Sequence, residues 1–289
     1  MLSIATCTLK QIFKEFTNSL KALYTPEECQ ILFFEFLHVR AGISKSVFYT
    51  QPDYALNTQI CIILGQDIKR LIAGEPFQYV LGQVEFCNVT IRIDSRALIP
   101  RPETEELCFE IQKRFTSNGP ILDLCTGSGC IAIALKHFFK LNDIYAGDCS
   151  DAALNLCNEN AQRLGLSVNS FLFNLYELPV SFPHSFFDLI VSNPPYITPA
   201  EKSGLHARVL NFEPHLALFT PDPEGLEPYR QILKIAKLHL NKNGILALEL
   251  HSQTAAAVFK LIQDSRIFTS TELMHDLSGN IRFLFAHKI

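Results

Sequence analysis

From Ile121 to the C-terminus, short apolar runs alternate with stretches of helical period. This restricts the fold more than any other feature of the chain. Ile121-Leu122-Asp123-Leu124 reads as a strand and Ser128 to Phe139 as a helix. Asp143 to Gly147 is the next strand, and Ser150 caps a helix ending at Gly165. Strands follow near Val168 and at Phe187, and a helix covers about Leu226 to Leu240. Ile245 to Leu250 is a further strand, followed by another helix. Two consecutive strands come last, near Phe268 and at Ile281 to Phe285. Repeated strand–helix–strand units predict a mostly parallel sheet with helices on both faces. Two strands in succession add an antiparallel hairpin that closes the sheet.

The pattern before this is different. Leu9, Ile12, Phe13, Phe16, Leu20 and Leu23 recur at helical spacing. Thr25-Pro26-Glu27-Glu28 combines an N-cap, a proline at the first helical position and a capping box. The helix it opens carries Ile31, Leu32, Phe33, Phe36 and Leu37. Another runs from about Asp53 to Ile72 and stops at Gly74. Such helices make a small bundle. Its aromatic stripe is core, and docking of a substrate is the one role left for it. From Pro76 to Pro100 the period shifts toward two, and Phe77 to Leu81 and Val84 to Ile93 read as strands around Gly82. The expected organisation is a helical bundle over 1–74, a β-hairpin linker over 75–100 and an α/β domain over 101–289.

Charge and cysteine usage exclude some classes. A net charge of −4 argues against a broad phosphate-binding surface. The nine cysteines are scattered, odd in number and without a CxxC. They suit reduced core residues in a reducing compartment, and no metal site is expected. Met1 to Leu9 lacks a basic region followed by an apolar run. No stretch reaches the roughly 18 apolar residues of a membrane span. The expectation is a cytoplasmic protein with no membrane contact.

Asp123-Leu124-Cys125-Thr126-Gly127-Ser128-Gly129 follows the first strand of the alternating region and opens a helix. Glycines there permit positive φ and let a ligand approach the backbone. Asp148 ends the second strand and is placed to bind a ribose diol. Gly127 to Ala132 also fits G-x-G-x-x-A, so the glycines alone do not separate a nicotinamide cofactor from another adenosine-bearing one. Asn193-Pro194-Pro195-Tyr196 ends the strand at Phe187. Neither proline can donate an N–H, so the segment is a stiff exit from the sheet. The Asn193 amide oxygen and the Pro194 carbonyl can each accept one proton of a planar NH2 group. Its lone pair is then left facing an electrophile.

Together the glycine loop, the acidic strand end and Asn-Pro-Pro-Tyr resemble the class I S-adenosylmethionine-dependent methyltransferases. Pro76-Phe77-Gln78-Tyr79-Val80-Leu81-Gly82 and Leu98-Ile99-Pro100-Arg101-Pro102-Glu103-Thr104-Glu105 narrow this. So do Phe212-Glu213-Pro214 and Asp276-Leu277-Ser278-Gly279-Asn280. With these the chain resembles the HemK/PrmC family of protein-(glutamine-N5) methyltransferases. The resemblance implies a Rossmann-like, seven-stranded, mostly parallel sheet preceded by a small helical bundle. It implies S-adenosyl-L-methionine as cofactor and the Gly-Gly-Gln glutamine of peptide chain release factors as target. The enzyme is expected to be a monomer without direct nucleic-acid contact.

The implied cofactor residues are Cys125, Thr126, Gly127, Ser128, Gly129, Asp148, Asn174, Leu175 and Asn193. Asn193, Pro194 and Tyr196 are the implied catalytic residues, and Asn193, Pro194, Pro195 and Tyr196 hold the substrate. The family usually has Gly at Cys125 and Asp at Asn174. Cys is small enough to turn away, and Asn keeps an acceptor oxygen without the charge.

Transfer to an amide nitrogen calls for preorganised acceptors and alignment rather than a prior general base. His206, His215 and His251 are therefore expected at the surface or in loops. Phe77 and Tyr79 have two readings, packing on the target glutamine or an ordinary core role. Arg101, Glu103 and Glu105 either position the linker or lid, or form a surface ion-pair cluster. Two rival activities use related chemistry, adenine-N6 methylation of nucleic acid and glutamine methylation of a ribosomal protein. A third rival is a binding protein with a decayed methyltransferase fold.

Overall fold

The computed structural model describes residues 7–177 and 182–289. Residues 1–6, the start of the expected helical region, lie outside them. The chain forms two compact units, one reaching to Gly82 and the other Gln83–Ile289.

The first unit is helical. α1 (Leu9–Leu20) and α2 (Pro26–Ala41) each open on a capping box, Thr8 with Gln11 and Thr25 with Glu28. Short α3 (Lys45–Thr50) precedes α4 (Thr58–Ile72), and α5 (Phe77–Leu81) ends the unit. The apolar stripes meet in one core of Phe16, Phe33, Phe36, Leu64 and Leu71. Arg40 pairs with Asp67 at 2.8 Å and donates to the carbonyls of Val80 and Leu81. That ties α5 to the bundle.

Several expectations need correction here. Phe77–Leu81 is a helix, not a strand; Gly82 ends it at φ +80. Five residues are too few for periodicity to separate the two. The hairpin lies wholly within β1 (Gln83–Phe86) and β2 (Val89–Arg92). Its turn is Cys87-Asn88, both at positive φ, a conformation for which Cys gives no signal. Linker 75–100 is thus not one element, and the units divide after Gly82 rather than Gly74. The helix expected from Asp53 starts at Thr58, because Asn57 caps it through Gln59 and Ile60 N–H. Cys7 and Cys61 are joined by a disulfide, so the cysteines are not all reduced thiols.

The second unit is built on a seven-stranded sheet. Its strands are β3 (Ile121–Leu124), β4 (Ile144–Asp148), β5 (Asn169–Leu172), β6 (Phe187–Ser192), β7 (Leu240–Glu249), β8 (Phe268–His275) and β9 (Ile281–Lys288). The order is β5-β4-β3-β6-β7-β9-β8, parallel except for β9, which runs antiparallel to both neighbours. Side chains alternate between two cores, as a sheet covered on both faces requires. Ile121, Leu189, Val191 and Ala247 face one core with α6 (Pro102–Arg114), α7 (Cys130–Phe138) and α8 (Asp151–Arg163). Leu122, Ile190, Leu246 and Leu248 face the other. The short helices α9 (Ala207–Phe212) and α10 (His215–Leu218) precede α11 (Glu227–His239), which packs on that face with α12 (Ala255–Asp264).

Candidate active site

β3 lies between β4 and β6, so the chain leaves the sheet centre in one direction and later returns on the other side. Ligands bind at such a switch point, beyond the carboxyl ends of the strands. The register sets Leu124 beside Gly147 and Ser192, which brings Cys125, Asp148 and Asn193 to one level. A cavity of about 590 Å³ opens there. Cys125, Thr126, Gly127 and Ser128 form one wall and Asp148 another. Asn174 and Leu175 line it beyond β5, and Asn193 and Pro195 beyond β6.

The loop after β3 is held from below. Asp123 is buried, and its Oδ2 accepts from Thr126 Oγ1 at 2.6 Å and from the Ala132 N–H at 3.2 Å. Burial pushes its carboxyl up to about 7. Asp148 accepts from the Gly127 N–H at 2.8 Å and the Ser150 N–H at 3.0 Å. Burial raises this carboxyl too. With its orientation fixed, its remaining lone pairs suit the hydroxyls of a diol.

Gly127 sits at φ +56, and a Cβ on it would meet only Ala97, 3.8 Å away. Ser128 lines the cavity, and its buried Oγ has only the Cys130 thiol beside it, with no oxygen or nitrogen partner among the described residues. A cradle that any side chain would fill, beside the Asp148 carboxylate, fits a bound polar ligand. Cys125 adopts φ +62, which explains why glycine is the usual residue there. Its thiol turns to Ser192, and burial raises its pKa.

Gly129 does not line the cavity. A Cβ on it would lie 2.5 Å from Cys157 Sγ, so its role is close packing of the loop on α8. Asn174 lines the cavity, but its amide oxygen already accepts from the Tyr176 N–H at 3.1 Å.

Asn193 Nδ2 donates to Thr104 Oγ1 at 3.0 Å. Nothing among the described residues donates to its amide oxygen or to the Pro194 carbonyl. Pro194 is buried and off the cavity wall. Tyr196 also points elsewhere. Its hydroxyl donates to Glu249 Oε1 at 3.2 Å, and its ring packs on His251.

Three residues were missed as site components. Thr104 and Glu249 hold Asn193 from behind, and buried Glu213 accepts from Arg101 at 2.6 Å and the Ile99 N–H at 3.1 Å. That pair favours a positioning role for Arg101 over a surface cluster. Glu105 accepts from the Cys87 N–H at the hairpin turn. The histidines serve locally, and none lines the cavity. His206 accepts from the Arg208 N–H, His215 bonds the Leu210 carbonyl, and His251 pairs with Glu201. Tyr79 is buried and Phe77 packs on the helical core, which favours ordinary core roles for both.

Comparison with known proteins extends the picture. Residues 11–82 match the model of a PrmC N-terminal domain, and residues 102–211 that of a methyltransferase small domain. A release factor glutamine methyltransferase from Flavobacterium psychrophilum is 32% identical over 281 residues, covering 96% of this chain and 98% of the relative. One from Bacteroides thetaiotaomicron is 33% identical, covering 94% and 97%. A solved methyltransferase from Pyrococcus furiosus covers 80% of this chain and 99% of its own with a TM-score of 0.51. At 17% identity it speaks for the fold alone.

Proposed function

This chain belongs to the release factor glutamine methyltransferase family, and from that premise we propose how its site works. It methylates the side-chain amide nitrogen of a glutamine in peptide chain release factors, at their Gly-Gly-Gln motif. The observation that carries the site assignment is the Asn193 amide on the cavity wall, anchored through its NH2 group, with no described residue donating to its oxygen. That oxygen accepts one proton of the target NH2. The Pro194 carbonyl, to which no described residue donates, is the acceptor proposed for the other, and reaching it requires the target to press past the present cavity wall. The two acceptors stabilise the positive charge that develops on nitrogen and hold the nitrogen in line.

S-adenosylmethionine, when bound, supplies a methyl group made electrophilic by a sulfonium sulfur. The loop from Cys125 to Ser128 receives its methionine part, Asp148 its ribose diol, and Asn174 with Leu175 its adenine. The test is labelled methyl transfer to purified release factor, beside a Gly-Gly-Ala variant of the factor and duplex DNA. Label in the variant or the DNA, and none in the intact motif, would reject the assignment.

The helical unit up to Gly82 serves recognition of the protein substrate, a role supported by its lack of chemistry-bearing motifs. A chain shortened to Gln83–Ile289 is expected to bind cofactor in calorimetry yet methylate intact release factor poorly. Full activity rejects this division. No helix among the described residues is long and apolar enough to cross a membrane. We extend the reading to a monomer acting in the cytoplasm without nucleic-acid contact, in keeping with the net charge of −4. A sedimentation mass of two chains, or retention on duplex DNA at moderate salt, speaks against it.

A further inference from the structure

Asn193 does not fix its own orientation. A terminal amide is nearly symmetric in shape, and its hydrogen bonds decide which end faces the cavity. The end of Asn193 turned inward lies 3.0 Å from the Thr104 hydroxyl. That hydroxyl has one proton, and Glu249 Oε2 lies 2.6 Å from it. An ionised carboxylate can only accept. The Thr104 proton therefore goes to Glu249, and Thr104 Oγ1 is left to accept from the NH2 end of Asn193. Glu249 is itself held: Tyr196 donates to its other oxygen at 3.2 Å, and the Tyr229 hydroxyl to its backbone carbonyl at 3.1 Å.

We infer that Glu249 and Thr104 are positioning residues, a buried relay that turns the oxygen of Asn193 toward the incoming NH2 group. The consequence for turnover rests on the methyl-transfer reading above; the geometry does not.

The relay depends on the charge of Glu249. Burial pushes its carboxyl up to about 7, against the hydrogen bond from Thr104 and the charge of Arg282. The groups facing it are Thr104 and Glu103 of α6, Tyr196 after β6, Tyr229 of α11 and Arg282 of β9. Burial raises both tyrosines, so they stay neutral, and Arg282 stays charged. As pH falls through about 7, Glu249 takes a proton and becomes a donor. A proton directed at Thr104 turns the hydroxyl toward Asn193. The amide then presents its oxygen to Thr104 and its NH2 to the cavity, where it opposes the target NH2.

The test is single-turnover methyl transfer across pH, at saturating methyl donor and release factor. The unmodified enzyme should lose rate below about pH 7. Thr104→Val should be about tenfold slower at pH 8, from one lost hydrogen bond near the reacting nitrogen, with cofactor affinity unchanged and the acid limb gone. Thr104→Ser should recover both rate and limb. Glu249→Gln still accepts from Thr104 but carries no charge, so its acid limb should vanish. Thr104→Val with the rate and profile of the unmodified enzyme overturns the relay. A second readout needs no activity. The Asn193 side-chain amide resonances, assigned by their loss in Asn193→Ala, should titrate near pH 7 and stay fixed in Glu249→Gln. If they titrate while release factor stays unmethylated, only the activity reading fails. An active enzyme whose Asn193 resonances do not move rejects the relay alone.

Discussion

Gly127→Val is expected to weaken S-adenosylmethionine binding by about 100-fold or more, some 2.7 kcal/mol, in a protein that still folds. Gly127 has open space at its Cβ position and φ +56. A branched side chain there occupies the volume into which a ligand must press to reach the backbone. The left-handed backbone adds about 1–2 kcal/mol of strain, tolerable against a typical stability of about 5–15 kcal/mol. The same conformation aims the Gly127 N–H at Asp148, so a shift in the loop also releases the carboxylate proposed for the ribose. Gly129 gives the contrast. A Cβ there strikes Cys157 Sγ at 2.5 Å, so Gly129→Ala should lower the melting temperature more than it lowers affinity. Calorimetry with both variants separates ligand cradle from packing. Unchanged affinity in folded Gly127→Val rejects this placement, and tight NAD binding by the unmodified protein points to a dehydrogenase.

The α/β unit was legible because its strands are apolar runs between helices of clear period. Both faces of the sheet are covered, so little alternation was needed to place them. The missed features are short or depend on tertiary partners. Phe77–Leu81 offered five residues to a periodicity argument, and the Cys87-Asn88 turn hid inside an alternating run. The cavity wall from Cys125 to Ser128, Asp148, Asn174, Leu175, Asn193 and Pro195 could be read locally, since each lies at a strand end or in the segment leaving it. The hydrogen bonds behind Asn193 could not. Thr104 meets Glu249 across 145 residues of sequence and Asn193 across 89. Glu249 did carry a signal, a lone carboxylate in Leu246-Ala247-Leu248-Glu249-Leu250. A buried acid in an apolar strand needs a partner, but sequence does not say which. Thr104 lay in the segment 98–105 that carries the family resemblance, but with no role attached to it. Tyr196 was adjacent in sequence and was expected beside the substrate, yet its side chain turns to Glu249.

Asn193→Ala is expected to lower single-turnover methyl transfer by about 10²–10³, by analogy with removal of one oxyanion-hole donor. Asn193 lines the cavity, no described residue donates to its amide oxygen, and its NH2 end is committed to Thr104. Alanine removes an acceptor whose interaction strengthens as charge builds on the target nitrogen, so the rate suffers more than ground-state binding. Cofactor affinity should change little, because the loop after β3 and Asp148 are anchored independently by Asp123, Thr126 and Ser150. Asn193→Asp probes the other end of the side chain. It keeps an oxygen toward the target but replaces the NH2 donor with a second acceptor facing Thr104. The single Thr104 proton then lies between two carboxylates, and one of them, Glu249, is already buried with a raised pKa. Asn193→Asp should therefore fall between alanine and the unmodified enzyme at neutral pH. It should gain on the acid side, where a proton shared between the introduced carboxylate and Glu249 restores the missing donor. If Asn193→Ala transfers methyl at the unmodified rate with both substrates saturating, Asn193-Pro194-Pro195-Tyr196 is only a turn after β6, and the acceptor role argued for it is wrong.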